Sequence, residues 1–243
     1  MIGRQGQTVA FTVDVEPDCP PFLRGFRGIE QGMPRLLDLL ASRGIAGTFF
    51  TTGDVASRYP EIVARLVNDG HELACHGMTH TAFPDLGEDA ARDEIDRSAA
   101  ILRHFAPVTS FRAPYLRFPS SYLPMLERAG FTLDSSQAIY KLAYHRERRA
   151  AASTPLARVP ASVTSSVLRL PRALRAAYLA ALSDPVVLFV HPWEFVDLRR
   201  EKLRLDCRFK TGDTALRCVA AVLDRYTARG ARFVRMRDLA TAT

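Results

Sequence analysis

The sequence predicts a single α/β domain, residues 1–243, in which strands and helices alternate and parallel strands close into a TIM-like barrel. Three observations carry that expectation. Seven short apolar runs read as strands, and they are continuous rather than alternating, as strands buried on both faces are. Amphipathic helical segments lie between most of them, which is the order that builds a parallel sheet. No linker rich in Gly, Pro or Ser divides the 243 residues, and there is no internal repeat.

The strands are expected at 8–14, 44–52, 71–75, 109–113, 131–134, 185–191 and 231–236. After the first, MPRLLDLLASRG places Met33, Leu36, Leu37 and Leu40 on one stripe and reaches Gly44, a C-terminal cap. YPEIVARLVNDG (59–70) repeats the arrangement, with Pro60 at its start and Gly70 at its end. The segment 87–105 opens with acids and closes with bases, which suits the helix dipole. Segments 120–130 and 211–230 supply further helices. Residues 137–170 lack such regularity and are expected to form an excursion that covers or shapes the site.

At 47% hydrophobic and 24% charged residues, the composition is that of a folded globular chain. No apolar run approaches the roughly 18 residues that span a bilayer. The segment MIGRQGQTVAF lacks the apolar core of a signal peptide, so a cytoplasmic address is expected. Cys19, Cys75, Cys207 and Cys218 show no CxxC spacing and read as reduced thiols. The net charge is +7, and much of the excess falls in residues 145–178, arginine-rich with Glu147 as their one acid. Such a stretch suits phosphate groups or an anionic membrane surface, or is simply a solvated face. Neither aromatic interleaving nor a motif supports nucleic acid as a partner.

GHELACHGMTH (70–80) carries the chemistry, because it sets His76 and His80 four residues apart after an apolar run. A helical turn after His76 would put both imidazoles on one face, ready for one metal ion. Cys75 is a conceivable ligand, but on a strand it points away from His76. In a parallel barrel, catalytic groups sit at the C-terminal strand ends, where Asp14, His76, Arg112, Asp134 and His191 all fall. Asp14 and Glu16 share one side of their strand, so one carboxylate can bind metal while the other acts as base. Asp18 is a reserve ligand. Arg112 can pair with Asp14, and Asp134 can orient His191 as a general acid.

Together these segments resemble the polysaccharide deacetylases of carbohydrate esterase family 4. TVDVEPD is similar to the family's first motif, His76-Gly77-Met78-Thr79-His80 to its metal motif, RAPY to its arginine motif, and LDSS and VVLFVH to its later motifs. The resemblance implies a distorted (β/α)7 barrel and a metal-dependent hydrolase that removes an N-acyl group, typically acetyl, from an amino sugar. It implies Asp14 as general base with Arg112 beside it, and Glu16, His76 and His80 as ligands of a divalent metal, most often zinc. It further implies an oxyanion contact from the Tyr115 N–H, His191 oriented by Asp134 as the acid, and Trp193 in the wall of the sugar pocket. The first motif departs from the family's adjacent aspartates, since Val15 separates Asp14 from Glu16; it resembles a D-x-E branch. A metal-free branch that hydrolyses cyclic amides lacks the histidine pair, which this chain keeps.

The expected substrate is therefore an amino sugar or glycan, in particular a lipid-linked or nucleotide-linked precursor, with residues 145–178 near its phosphate. Two rivals predict different outcomes. A hydrolase of small amides or formamides would release acids other than acetate from non-sugar amides. An inactive sugar-binding barrel would bind no metal and depend on Asp14 for nothing.

Overall fold

A computed structural model describes residues 6–147 and 154–240. Its frame is β1 (Thr8–Val15), β2 (Thr48–Thr51), β3 (Glu72–Cys75), β4 (Ser110–Phe111), β5 (Leu133–Asp134), β6 (Ala157–Arg158), β7 (Val186–Val190) and β8 (Arg232–Val234). All pairings are parallel, and the path runs β6-β5-β4-β3-β2-β1-β7, with β8 also pairing with β1. These seven strands form the expected distorted (β/α)7 barrel. The eighth occupies the start of one edge of β1, where Val9 faces Phe233; β2 takes the remainder, where Val13 faces Phe49. The seam between β6 and β7 closes through one bridge, Val163 to Leu188, beside Ser162, whose N–H donates to Val187 O at 2.8 Å.

The helices follow the apolar stripes. They are α1 (Met33–Ala41), α2 (Gly53–Arg58), α3 (Pro60–Asn68), α4 (Glu88–Arg103), α5 (Leu123–Arg128), α6 (Leu142–Glu147), α7 (Ser165–Leu168), α8 (Arg172–Ala180), α9 (Leu205–Arg208), α10 (Asp213–Thr227) and α11 (Met236–Ala240). Met33, Leu36, Leu37 and Leu40 are all buried, as their spacing predicts. Among the described residues no helix is long and apolar enough to cross a membrane. β6 was not expected, nor were the short helices α2, α6 to α9 and α11; α2 lies beside the site loop, α11 begins where the last expected strand was to end, and the others lie in or near the irregular stretches.

Strand alternation divides β1 into two faces. Val9, Phe11, Val13 and Val15 point outward into a core with α1 and with Val219, Val222 and Leu223 of α10. Each such side chain contributes roughly 1.5–3 kcal/mol by leaving water. The alternate residues enter the barrel. Ala10 lies low, with Phe50, Ala74, Leu133 and Val187, above a plug made by Met236 and Leu239. Thr12, Asp14 and, beyond the strand, Glu16 rise toward the mouth, so one strand delivers three polar groups to the lumen. Near the floor, Glu72 accepts hydrogen bonds from Thr48 Oγ1 (2.8 Å), Ser110 Oγ (2.6 Å) and the Arg237 N–H (3.0 Å).

His71 leads into β3. Its Nδ1 accepts the Gly47 N–H at 3.0 Å, and its ring tilts against Phe49. Burial lowers its pKa, opposed by the charge of Asp69 and aided by that of Arg65. The folded state thus holds a neutral ring that the unfolded chain protonates below about pH 6.5. This contribution is complete above that pH and declines as pH falls through the lowered folded value. Equilibrium denaturation at pH 7.5 and pH 5 should show a smaller loss of midpoint for His71→Asn than for the parent chain; equal losses would reject the assignment.

Candidate metal centre and active site

The barrel brings the polar strand ends to one mouth. Asp14 is the penultimate residue of β1, His76 follows β3, Arg112 follows β4, Asp134 ends β5 and His191 follows β7. The ladder continues past the strands, with the His76 N–H on Thr51 O (3.0 Å) and the Arg112 N–H on Cys75 O (2.9 Å). Sheet hydrogen bonding therefore fixes the backbone under both side chains.

Glu16, His76 and His80 form the one group of potential metal ligands found among the described residues; their donor atoms lie within 4.8 Å of one another and all three are buried. Glu16 Oε2 is 2.5 Å from His80 Nε2 and 3.4 Å from His76 Nε2. Donors around one tetrahedral ion at zinc distances stand roughly 3.3 Å apart, which these separations bracket. His76 Nδ1 lies 2.7 Å from the Arg112 carbonyl, so that nitrogen carries the hydrogen and Nε2 is the atom left to coordinate. The Trp193 Nε1–H donates to Glu16 Oε1 at 3.2 Å, which turns Oε2 toward the histidines. His80 Nδ1 is buried without a hydrogen-bond partner. Burial would raise Glu16, but the charges of His80 and His191, then hydrogen bonds from His76 and His80, hold its carboxyl well below the usual range. The donor set fits a divalent cation with open positions for water and substrate.

The two histidines do not share a helix face, contrary to the expected turn. Residues 76–80 form a loop in which Gly77 (φ +76°) and His80 (φ +61°) are left-handed, and this folds the second imidazole back on the first. At Gly77 that conformation is one a side chain would strain. Glu94 of α4 fastens the loop, its Oε2 accepting the N–H groups of Met78 (2.8 Å) and Thr79 (3.0 Å). Cys75 points the other way, into the core, within 3.3 Å of Ser98 Oγ.

Arg112 is fully buried inside the barrel. Its Nη1 donates to Asp14 Oδ1 (2.6 Å) and Thr12 Oγ1 (2.9 Å), its Nη2 to Ser135 Oγ (3.0 Å), and it lies 4.1 Å above the centre of Phe50. The reserve ligand Asp18 is engaged elsewhere: its carboxylate accepts the N–H groups of Arg27 (2.9 Å) and Gly28 (2.8 Å). Gly28 packs so closely on the 192–195 turn that a Cβ there would stand 2.4 Å from the Trp193 nitrogen. Asp18 thus braces the turn behind the site and leaves Glu16 as the carboxylate of the cluster.

The expected partnership of Asp134 with His191 is replaced. Asp134 forms an ion pair with Arg158 of β6 (2.8 Å) and accepts the Ser136 N–H (3.1 Å). Its pKa is raised by burial, which outweighs the charge of Arg158 and the contacts of Ser136. The carboxylate that meets His191 is Glu194, three residues on, across a 3-10 turn opened by Pro192; Oε1 lies 2.6 Å from Nδ1. Arg169, also buried, stands 3.7 Å from Glu194 Oε2 and donates to the carbonyls of Asp206 (2.8 Å) and Phe209 (2.6 Å). Burial works against a charged His191, but Glu16 and then Glu194 outweigh it and raise its pKa to about 9. Arg158 and Arg169 both belong to the basic stretch 145–178 and act inside the fold. Residues 148–153 of that stretch lie outside the described residues.

Tyr115 and Trp193 flank the cluster. The Tyr115 ring meets His80 edge-on at 4.7 Å, and Trp193 stacks on His191 at 4.8 Å. Both line a cleft of about 380 Å³ with Asp14, Glu16, His80 and His191. In the turn around Tyr115, Ala113 N–H donates to Ser136 Oγ, Leu116 N–H to Ala113 O and Arg117 N–H to Pro114 O. Proline has no N–H, so the Tyr115 amide is the donor of this turn left without a partner among the described residues. Glu194, Arg169 and Ser135 were not anticipated. Glu194 had a local signal, since His-Pro-x-Glu is the spacing of a capped turn; Arg169 and Ser135 had none.

Residues 3–133 match the family description "Polysaccharide deacetylase". The chain is 31% identical over 109 residues to a peptidoglycan-N-acetylglucosamine deacetylase of Bacillus cereus, covering 44% of this chain and 36% of that protein. It is 36% identical over 103 residues to a chitooligosaccharide deacetylase of Sinorhizobium fredii, covering 40% and 46%. The matches thus span less than half the length of these relatives. A crystal structure of a peptidoglycan N-acetylglucosamine deacetylase superposes with a TM-score of 0.63 at 20% identity, over 96% of this chain and 87% of that one.

The cluster makes a direct prediction. Metal analysis of the purified protein should find one divalent ion per chain, and His80→Gln should weaken its affinity at least 100-fold, more than the 10–100-fold typical of a supporting residue. Equal metal content in both proteins would dismiss the cluster as a binding site.

Proposed function

Because this chain belongs to the polysaccharide deacetylase family, we propose that it is a metal-dependent hydrolase that removes the N-acetyl group from an amino sugar. The observation that carries this reading is the placement of the Glu16–His76–His80 cluster near the Asp14–Arg112 pair, so that Asp14, Glu16 and His80 line one cleft. Glu16, His76 and His80 would hold the cation, for which the two imidazoles and one carboxylate suit zinc. When bound, it polarises the amide carbonyl and acidifies water.

The remaining work falls to side chains and one amide. Asp14 has one oxygen held by Arg112, and its carboxylate accepts the proton of the attacking water. The unpartnered Tyr115 N–H receives the negative charge that develops on the carbonyl oxygen. His191, fixed through Nδ1 by Glu194, turns Nε2 into the site, 3.8 Å from Glu16 Oε1, from where it delivers a proton to the departing amine. An amine is a poor leaving group, so this last transfer is as necessary as the first. Trp193 and Tyr115 supply apolar faces against which a sugar ring can lie.

Substrates in this reading are N-acetylglucosamine units of a glycan. A lipid-linked or nucleotide-linked amino sugar is the finer proposal, and it draws on the basic residues not used inside the fold, such as Arg172. Acetate release from free, oligomeric and nucleotide-linked N-acetylglucosamine decides among them; no release from any would overturn the assignment.

Two mutational outcomes follow. Asp14→Asn should retain metal and lower kcat by about 10²–10⁴-fold, equivalent to roughly 3–5.5 kcal/mol. Glu194→Gln should cost kcat at least about tenfold, whereas Asp134→Asn should leave it within about threefold. The reverse order for the last two would return the orienting role to Asp134.

A further inference from the structure

We propose that Lys141 is a positioning residue for this reaction, holding the Tyr115 amide in the conformation that leaves its N–H available to the substrate oxyanion. The inference rests on the reading of that N–H as the oxyanion donor.

Tyr115 (φ +59°) and Leu116 (φ +51°) are successive non-glycine residues in the left-handed region. L-residues avoid that region, and two in a row require external restraint. From the N-H side, the turn is held by Ala113, Leu116 and Arg117, as described above. From the carbonyl side, Lys141 Nζ donates to Tyr115 O at 2.6 Å and to Leu116 O at 3.3 Å. Among the described residues no other donor is recorded for either carbonyl. One ammonium therefore holds the two carbonyls that the turn's own hydrogen bonds leave unpaired.

Lys141 reaches the turn from the stretch between β5 and β6, where its own N–H bonds to Ala138 O at 3.0 Å. Ala138 packs with Leu116, Ala161 and Phe189, so the lysine and the turn it grips share an apolar footing. Lysine suits this post because its ammonium offers three donors and no acceptor, enough to serve two carbonyls at once. Burial, then the charge of Arg117, lowers its pKa, so its setting does not favour the charge for its own sake. The donation also draws electron density from the 115–116 peptide, next to the amide in question. Lys141 lines the cleft as well, and a direct contact with substrate is the rival explanation.

The test compares metal-loaded parent protein with Lys141→Met and Lys141→Arg, using an N-acetylglucosamine trimer as substrate and hydrogen exchange of the 113–118 segment as a second readout. The expected result for Lys141→Met is a fall in kcat of at least tenfold with KM within twofold, unchanged metal content, and faster exchange confined to 113–118. Lys141→Arg should recover most of both losses. A rise in KM with kcat kept would make Lys141 a substrate contact and overturn the proposal. So would unchanged exchange at 113–118, or faster exchange throughout the barrel in both variants. Should the parent protein release no acetate, the proposed function fails by itself, and the exchange experiment still decides whether Lys141 holds the turn.

Discussion

A guanidinium sealed inside the barrel is the constraint on which the site depends. Arg112 joins β1 through Thr12 and Asp14, the end of β5 through Ser135, and lies against Phe50 of β2. Its carbonyl also receives His76 Nδ1 and so sets which nitrogen of that ring can bind metal. One residue thus touches both the proposed base and a proposed ligand. A buried cation of this kind persists only because its partners are in place, and removing one partner of such a pair typically costs about 3–5 kcal/mol. The same pairing explains how the Asp14 carboxylate can sit in the lumen of the barrel.

Around this centre the fold redistributes its charges. Glu194 takes the place beside His191, three positions on in the same short turn, and Arg169 anchors it from the opposite side. Asp134 is thereby released to pair with Arg158, which adds a side-chain tie to the short ladder between β5 and the two-residue β6. Arg158 and Arg169 come from the stretch whose arginines suggest an outward basic surface. Both are spent on internal order, which narrows the positive charge available to a phosphate or a membrane. The irregular segment is accordingly a structural part of the site: it supplies β6, the bridge that closes the barrel, and Lys141 on the Tyr115 turn.

Much of this was legible because it is local. Continuous apolar runs marked seven of the eight strands, and polar residues directly after them marked Asp14, His76, Arg112 and His191. Period-two alternation alone places Asp14 and Glu16 on one side, and the structure has both facing the cleft. β6 escaped notice because two residues, Ala157 and Arg158, carry no periodic signal. The helical turn expected after His76 failed because Gly77 and His80 adopt left-handed conformations that spacing cannot reveal.

The sequence by itself determined the order of the longer strands and helices, the inward face of β1, and the residue types from which a metal-dependent hydrolase can be built. The motifs already pointed to Asp14 with Arg112 and Glu16 with the histidines; tertiary structure alone decided the other carboxylates, Asp18 with the turn at Gly28, Glu194 with His191 and Asp134 with Arg158. The physical reason is range. Strand alternation and helix periodicity are set by neighbours a few residues apart, whereas an ion pair is chosen by whichever charge the packed barrel brings within about 4 Å, however distant it is along the chain.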